Sequence, residues 1–428
     1  MNIIMFTNTY LPHVGGVARS VAAFSEEYRR RGHKVLVVAP TFAHVDPDEK
    51  NVLRIHALQN FNGSDFSVAL PFSGDLTEQL DAFRPDIVHS HHPFLLGMTA
   101  LRLARSRELP LVFTHHTLYE RYTHYVPADS QVLKRFVIEL ATRYANLSSL
   151  VFAPSRSIAE LLRSRGVTSP LAELPTGVSA EQFQPADGLA ARRQYGIPED
   201  AFLLGHLGRL AAEKNLDFLA GAVVEFMLKE ENSHFLLVGS GPSEQAVKSL
   251  FQSRGLAERL HTPGTLQGEA QRNAYRAMDA FVFASTSETQ GMVLTEAMAG
   301  GTPVIALDAN GTREVVEDRI NGCLVKSANA AEFVDAIAWL HQQGPEQRQA
   351  LRDAALQTAK TFSMEKCADR ALALYQPLLK QQWMIDDSLY AQWMRLRNLI
   401  GAQWDILEGV TSAAGAAFNA TQPRSFPP

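Results

Sequence analysis

The strongest constraint on the fold is a pattern that runs, stops and restarts. Through residues 1–175, short β-branched runs (IIMFTN, KVLVVAP, DIVHSHH, LPLVFTHH, SLVFAPS) alternate with the longer amphipathic stretches GVARSVAAFSEEYRRRGH, PFLLGMTALRLARSRE and SQVLKRFVIELATRYAN. Runs apolar throughout, rather than at every second residue, belong to parallel strands covered on both faces. Gly32 sits where the first helical stretch should end. The segment ELPTGVSAEQFQPADG, rich in Pro, Gly and polar residues, then interrupts the pattern as a connection between domains would. After it the alternation resumes with AFLLGHLG, HFLLVGS, ERLHTPG, DAFVFAS and TPVIALD. Two rounds of strand and helix predict two doubly wound α/β domains, and 428 residues exceed what one core accommodates. The expected division is 1–175 for the first domain and 176–385 for the second. Helices over about 386–410, carrying Trp393 and Trp404 on nearly one face, return to the first domain, and 411–428 form a loosely held tail.

Composition excludes several function classes. With 46% hydrophobic and 20% charged residues the chain is globular. A net charge of -5 argues against a nucleic-acid partner. No apolar run reaches the roughly 18–20 residues of a membrane helix, and MNIIMFTNTY reads as a strand rather than a leader. Cys323 and Cys367 lack metal or redox spacing, so a cytoplasmic location is expected. Asp46-Pro-Asp48 reads as a solvated loop. The group His89, His91 and His92 reads as strand-end histidines, since zinc would need a further ligand that is not evident.

Ligands of open α/β sheets bind beyond the carboxyl ends of the strands, and the suggestive residues all fall there. Gly15 and Gly16 sit between the first strand and first helix, where they permit a phosphate at the helix start or simply a tight turn. Arg209 and Lys214 follow the first strand of the second domain. A cation at a helix opening opposes the macrodipole, so this pair makes sense as an anion clamp, the alternative being two solvated charges. The stretch SETQGMVLTEAMAGG, 287–301, is the most informative. A helix starting near Gly291–Met292 presents the amides of Thr289, Gln290, Gly291, Met292 and Val293 to a diphosphate. Glu288 precedes it and can accept hydrogen bonds from ligand hydroxyls, and Glu296 lies inside an apolar run where a solvated carboxylate is hard to arrange. Ligand contact is expected for both.

Taken together these residues resemble the retaining glycosyltransferases of family 4, which have the GT-B architecture. The likeness rests on Glu288 and Glu296 separated by seven residues, Arg209 and Lys214 five apart, Gly15–Gly16, His116–Thr117, and Pro175–Val178 with Thr176 in place of the usual Asn. It covers roughly residues 1–385. The resemblance implies two Rossmann-like domains facing across a cleft and a nucleotide-sugar donor as substrate, with no cofactor and no metal. It also implies roles. Arg209 and Lys214 hold the diphosphate and stabilise its departure, Glu288 meets the hexose, Glu296 the ribose, and Gly16 lines the phosphates. His116 sits near the hexose and the attacking hydroxyl. Anomeric configuration is retained, with the departing phosphate helping to take the acceptor proton.

The stretch HHTLYERYTHYVP resembles bacterial diacylglycerol glucosyltransferases within that family. His116, Thr117, Tyr119 and Tyr122, with His124 and Tyr125 nearby, are the expected acceptor contacts, unless the loop merely closes on its own aromatics. In SQVLKRFVIELATRYANL, Lys134, Arg135 and Arg143 lie beside Phe136, Val137 and Ile138, a pattern that fits peripheral contact with an anionic membrane or ordinary packing. The expected activity is transfer of a hexose, glucose first, from a UDP-linked donor to a lipid such as diacylglycerol or to a small glycan. The alternatives are a nucleotide-sugar 2-epimerase of the same fold, a transferase for soluble sugars or a polysaccharide precursor, and a non-catalytic sugar-nucleotide binder.

Overall fold

The computed structural model describes residues 1–379 apart from 14, 43–48, 56, 59–67, 70–73, 122–129, 180–182 and 184–185. The expected helices over 386–410, the tail, Asp46-Pro-Asp48, and Tyr122 with His124 and Tyr125 lie outside the described residues. The chain forms two compact units: Met1–Pro175 with the described residues from Ala368 onward, and Thr176–Cys367.

The first unit is built on seven strands: β1 Asn2–Phe6, β2 Lys34–Pro40, β3 Val52–Ile55, β4 Ile87–Ser90, β5 Leu111–Thr114, β6 Leu150–Ala153 and β7 Leu171–Glu173. They are all parallel, in the order β3-β2-β1-β4-β5-β6-β7. The five apolar runs of the sequence are the five central strands. The two outermost, VLRI and LAE, are mostly half-buried and carry a charge each, so no apolar run announced them. Ile4, Phe6, Val88, Phe113 and Val151 pack with Leu101, Tyr144 and Ile158 into the unit's core.

The second unit has six parallel strands: β8 Phe202–Leu207, β9 Ser233–Val238, β10 Leu260–Gly264, β11 Ala280–Phe283, β12 Val304–Leu307 and β13 Gly322–Val325. Their order is β10-β9-β8-β11-β12-β13. Successive strand residues point to opposite faces, and the core divides accordingly. Leu204, Phe235, Leu237 and Val282 pack beneath the helices Leu216–Met227 and Ala330–His341. Leu203, Leu236, Phe281 and Phe283 pack beneath Gly268–Ala277 and Met292–Ala299. Both faces being covered explains why the inner strands β8, β9, β11 and β12 are largely apolar, whereas the edge strand β10, LHTPG, is half-buried and mixed. The strand missed by the sequence, GCLV, is again an edge.

Each sheet is thus doubly wound and Rossmann-like, with its order reversing between β1 and β4 and between β8 and β11. Loops leaving those strands diverge to opposite faces and open a crevice at their carboxyl ends.

Candidate active site

At the reversal point of the second unit, β8 runs into Gly208–Asn215 and β11 into Ala284–Gly291. Side-chain hydrogen bonds staple these two loops together. The hydroxyls of Ser285 and Ser287 each donate to the Glu213 carbonyl at 3.2 Å. Asn215 donates through Nδ2 to the Ala284 carbonyl at 3.3 Å. Asn215 also takes the left-handed conformation at φ 54°, which Asn tolerates and which starts the helix Leu216–Met227 directly after Lys214. The consequence is an ion pair: Lys214 Nζ lies 2.5 Å from Glu288 Oε1, the side chains being 18% and 17% exposed. Burial alone would push the Glu288 carboxyl up. The Lys214 charge and hydrogen bond, helped by a hydrogen bond from Ser285, outweigh it and hold the group below the ordinary carboxylate value. His206, on the central strand β8, is stacked on Phe281 and Phe283 with centroids 6.0 Å away in each case. Burial drives its pKa down to about 4, so it is neutral.

The expected clamp of Arg209 and Lys214 is therefore only part of the arrangement. Arg209 is exposed in its loop, and Lys214 has a carboxylate partner 74 residues away along the chain. Glu296 likewise does not depend on a ligand for company. It is 8% exposed, and its Oε2 accepts from the Tyr275 hydroxyl at 2.9 Å and from Gln271 Nε2 at 3.3 Å. Gln271 and Tyr275 are four apart on one face of Gly268–Ala277, a spacing visible in the sequence but given no meaning there.

The helix Met292–Ala299 begins as expected, after Gly291 at φ 73°, with no side-chain cap and no acidic residue in its first turn. An uncapped, positively polarised helix start is available to an anion. Thr289 and Gln290 are held from behind by Gly311, where a Cβ would stand 2.6 Å from the Gln290 nitrogen. The Gln290 side chain is committed elsewhere: its Oε1 accepts from the Thr176 amide at 2.7 Å and its Nε2 donates to the Thr176 carbonyl at 2.6 Å. Only its main chain is left for a ligand. Met292 and Val293 are half-buried at the helix start.

One element of this region passed unnoticed in the sequence: Gly239-Ser240-Gly241, following β9. A Cβ at Gly239 would lie 1.9 Å from the Gly208 carbonyl oxygen, and one at Gly241 2.3 Å from that of Leu210. The two glycines let the β9 loop lie flat against the loop carrying Arg209, sealed by Leu210 N–H donating to the Ser240 carbonyl at 2.9 Å. A G-x-G directly after an apolar strand was the available signal.

In the first unit the reversal point gathers histidines. Asn8, after β1, spans it: its main-chain N–H donates to His92 Nδ1 at 3.1 Å, and its side chain bonds Phe94 and Leu96. His89, His91, His92 and His115 are buried, and His116 half-buried. Burial drives the pKa of His89, His92, His115 and His116 to about 3 and that of His91 well below its ordinary value, so the group is uncharged. His91 Nδ1 and His116 Nε2 share a hydrogen bond of 2.8 Å. Thr117 and Tyr119 follow on the same loop, half-buried, and Tyr119 lies edge-on to Phe94 and His115. Among the described residues no three His, Cys, Asp or Glu side chains are arranged to share a metal ion.

Gly15 precedes the helix Gly16–Arg30 in extended conformation. A Cβ at Gly16 would meet nothing within 4 Å among the atoms of the chain, and neither glycine has positive φ. Packing against the sheet thus does not account for Gly16. In Gln131–Asn146, Ile138 is buried, Lys134, Arg135, Phe136 and Val137 are half-buried, and Arg143 pairs with Glu139 at 2.8 Å. Among the described residues no helix is long and apolar enough to cross a membrane.

Comparison with known proteins gives the family. Residues 14–182 match the family model described as Glycosyltransferase Family 4, and residues 189–358 match Glycosyl transferases group 1. The alpha-monoglucosyldiacylglycerol synthase of Streptococcus pneumoniae is 29% identical over 330 residues, 76% of this chain and 75% of that protein. The synthase of the same name from Acholeplasma laidlawii is 28% identical over 395 residues, 89% of this chain and 98% of its own. Among solved structures, sucrose-phosphate synthase from Thermosynechococcus elongatus superposes with a TM-score of 0.72 at 21% identity, covering 88% of this chain and 98% of that one. The chain belongs to the GT-B glycosyltransferases, with a family 4 first domain and a group 1 second domain.

Proposed function

We propose that this enzyme moves glucose from UDP-glucose to the hydroxyl of a membrane lipid such as diacylglycerol, with retention of configuration and without a metal or cofactor. The observation that carries the reading is the Lys214–Glu288 pair, set at the reversal point before an uncapped helix start. A diphosphate arriving there meets the amides of Thr289 to Val293, Arg209, and a lysine that can exchange its carboxylate partner for phosphate. That exchange leaves Glu288 to accept hydrogen bonds from the hexose hydroxyls. Glu296, oriented by Tyr275 and Gln271, takes the ribose diol. The donor C1–oxygen bond breaks as the acceptor oxygen bonds to C1. The electron pair leaves with the diphosphate, which Lys214 and Arg209 neutralise, and the acceptor proton passes to that departing phosphate. His116, neutral by burial, serves the hexose as a hydrogen-bond donor rather than as a base. Thr117 and Tyr119 border the acceptor, and the basic, half-apolar face of Gln131–Asn146 rests on the cytoplasmic membrane surface.

The lipid acceptor and the glucose rest on the two glucosyldiacylglycerol synthases among the relatives and on the aromatic stretch after His116. Labelled hexose from UDP-glucose, supplied with mixed diacylglycerol vesicles and a chelator, is expected to appear in organic-extractable material. Label that stays aqueous with UDP-glucose, UDP-galactose and UDP-N-acetylglucosamine alike would exclude the lipid reading. Conversion of a UDP-sugar with no acceptor present would favour an epimerase instead.

Gly16 offers a test free of folding effects. Since a Cβ there meets nothing, Gly16→Ala is expected to change stability by less than about 1 kcal/mol and yet slow transfer about tenfold by crowding the donor phosphates. Unchanged turnover would remove Gly16 from the site.

A further inference from the structure

A chain of buried rings in the first unit ends at a residue to which no role has been given. Tyr375, the last residue of the helix Met364–Tyr375, has no exposed surface. Its Oη lies 2.7 Å from His89 Nδ1, and His89 Nε2 lies 2.7 Å from Thr114 Oγ1. The His89 ring packs against that of His91 with centroids 4.1 Å apart, and His91 bonds His116 at 2.8 Å. Phe152 stacks on Tyr375 at 5.8 Å and Tyr28 meets its edge at 6.0 Å, so the phenol is held in place.

Proton positions follow from the partners. Each neutral imidazole carries one proton. Of the two hydroxyls on His89, the phenol is much the stronger acid, so Tyr375 donates to Nδ1 and His89 donates from Nε2 to Thr114. His91 Nε2 is buried with no hydrogen-bond partner. A proton on Nδ1 leaves an acceptor unmatched there, whereas a proton on Nε2 would strand an N–H, the rarer and costlier defect. His91 therefore donates from Nδ1 to His116 Nε2, and the proton of His116 sits on Nδ1.

We propose that Tyr375 is a positioning residue for the transfer reaction: it fixes the ring and tautomer of His89, which braces His91, which in turn holds His116 with its proton on Nδ1. This rests on the reading that His116 meets the donor hexose. Removing the phenol oxygen leaves His89 Nδ1 without its donor, so the ring turns or changes tautomer and the brace on His91 is lost.

The test uses the full chain isotopically labelled at the histidine ring nitrogens, as wild type, Tyr375→Phe and Thr114→Val, the last removing the hydroxyl on the other side of His89. In the wild type, ring-nitrogen NMR is expected to show His116 protonated on Nδ1. Both variants are expected to shift the His91 and His116 resonances and to lower kcat about tenfold, the worth of one buried hydrogen bond, with donor KM unchanged. If Tyr375→Phe does not fold, Thr114→Val carries the same expectation. A wild-type His116 protonated on Nε2, or His116 resonances unmoved in the folded variants, would overturn the proposal. Wild-type turnover by His116→Ala would instead remove the role of His116 in transfer, and the ring resonances would still decide whether Tyr375 positions it.

Discussion

Glu288→Gln is expected to bind UDP more tightly than the wild type while transferring hexose about a hundredfold more slowly, a loss of the size seen when one charge-stabilising group is removed. The two effects separate because UDP carries the diphosphate but no hexose. If the donor binds as proposed, the diphosphate of the wild type must compete with the Glu288 carboxylate for Lys214, 2.5 Å away. A partly exposed ion pair is worth on the order of 1 kcal/mol, so removing the competing charge should tighten UDP binding about fivefold. The hexose, however, loses a charged acceptor for its hydroxyls. Lys214→Ala is the converse: UDP binding weakens, and Glu288 loses the charge that offsets its burial, so its carboxyl shifts upward. Calorimetric titration with UDP beside steady-state transfer checks both. Weaker UDP binding by Glu288→Gln, or near-normal turnover, would mean that the ion pair is structural and not part of the donor site.

The second large effect is acid sensitivity of the first unit. His89, His92 and His115 keep folded pKa values of about 3, and His91 lies well below the ordinary value of 6.5. Between those limits the unfolded chain binds protons that the folded chain refuses. Stability therefore rises with pH across this window and is lost as pH falls from about 6.5 toward about 3. Each histidine contributes at most about 1.4 kcal/mol per pH unit. The three with values near 3 together amount to at most about 4 kcal/mol per unit, a large share of the stability of a domain, and His91 acts in the same direction. Urea midpoints should accordingly fall steeply between pH 7 and pH 5. His115→Phe should reduce that slope, since both ring nitrogens of His115 are buried without a hydrogen-bond partner and nothing polar is lost with them. A midpoint flat over the same range would show that these histidines are charged in the folded protein.

Much of this was legible in the sequence, and what was not has definite physical reasons. Continuous apolar runs marked the strands buried on both faces, while the half-buried edge strands VLRI and LAE left no such trace, and GCLV, though apolar and nearly all buried, is only four residues long. The helix start expected near Gly291–Met292 is found at Met292, after Gly291 in the left-handed conformation. Partners were harder to read. Nothing local in the chain tells Lys214 that Glu288, 74 residues on, will lie beside it, or that Gln290 will spend its side chain on Thr176. The apolar setting of Glu296 did signal a need for a partner, but Tyr275 and Gln271 supply one from within the chain. The histidines after β4 were recognisable as a strand-end group. Their mutual hydrogen bond and their tie to Tyr375 exist only once the sheet and the helix Met364–Tyr375 are assembled.

A single product tests the proposed reaction most directly. Purified enzyme, UDP-glucose and diacylglycerol vesicles should yield a glycolipid whose anomeric proton, read by NMR, has the small coupling of an α-glucoside, the configuration of the donor. A β-glucoside would contradict retention at this site. No glycolipid at all, with the donor intact, would contradict the assignment of donor and acceptor together.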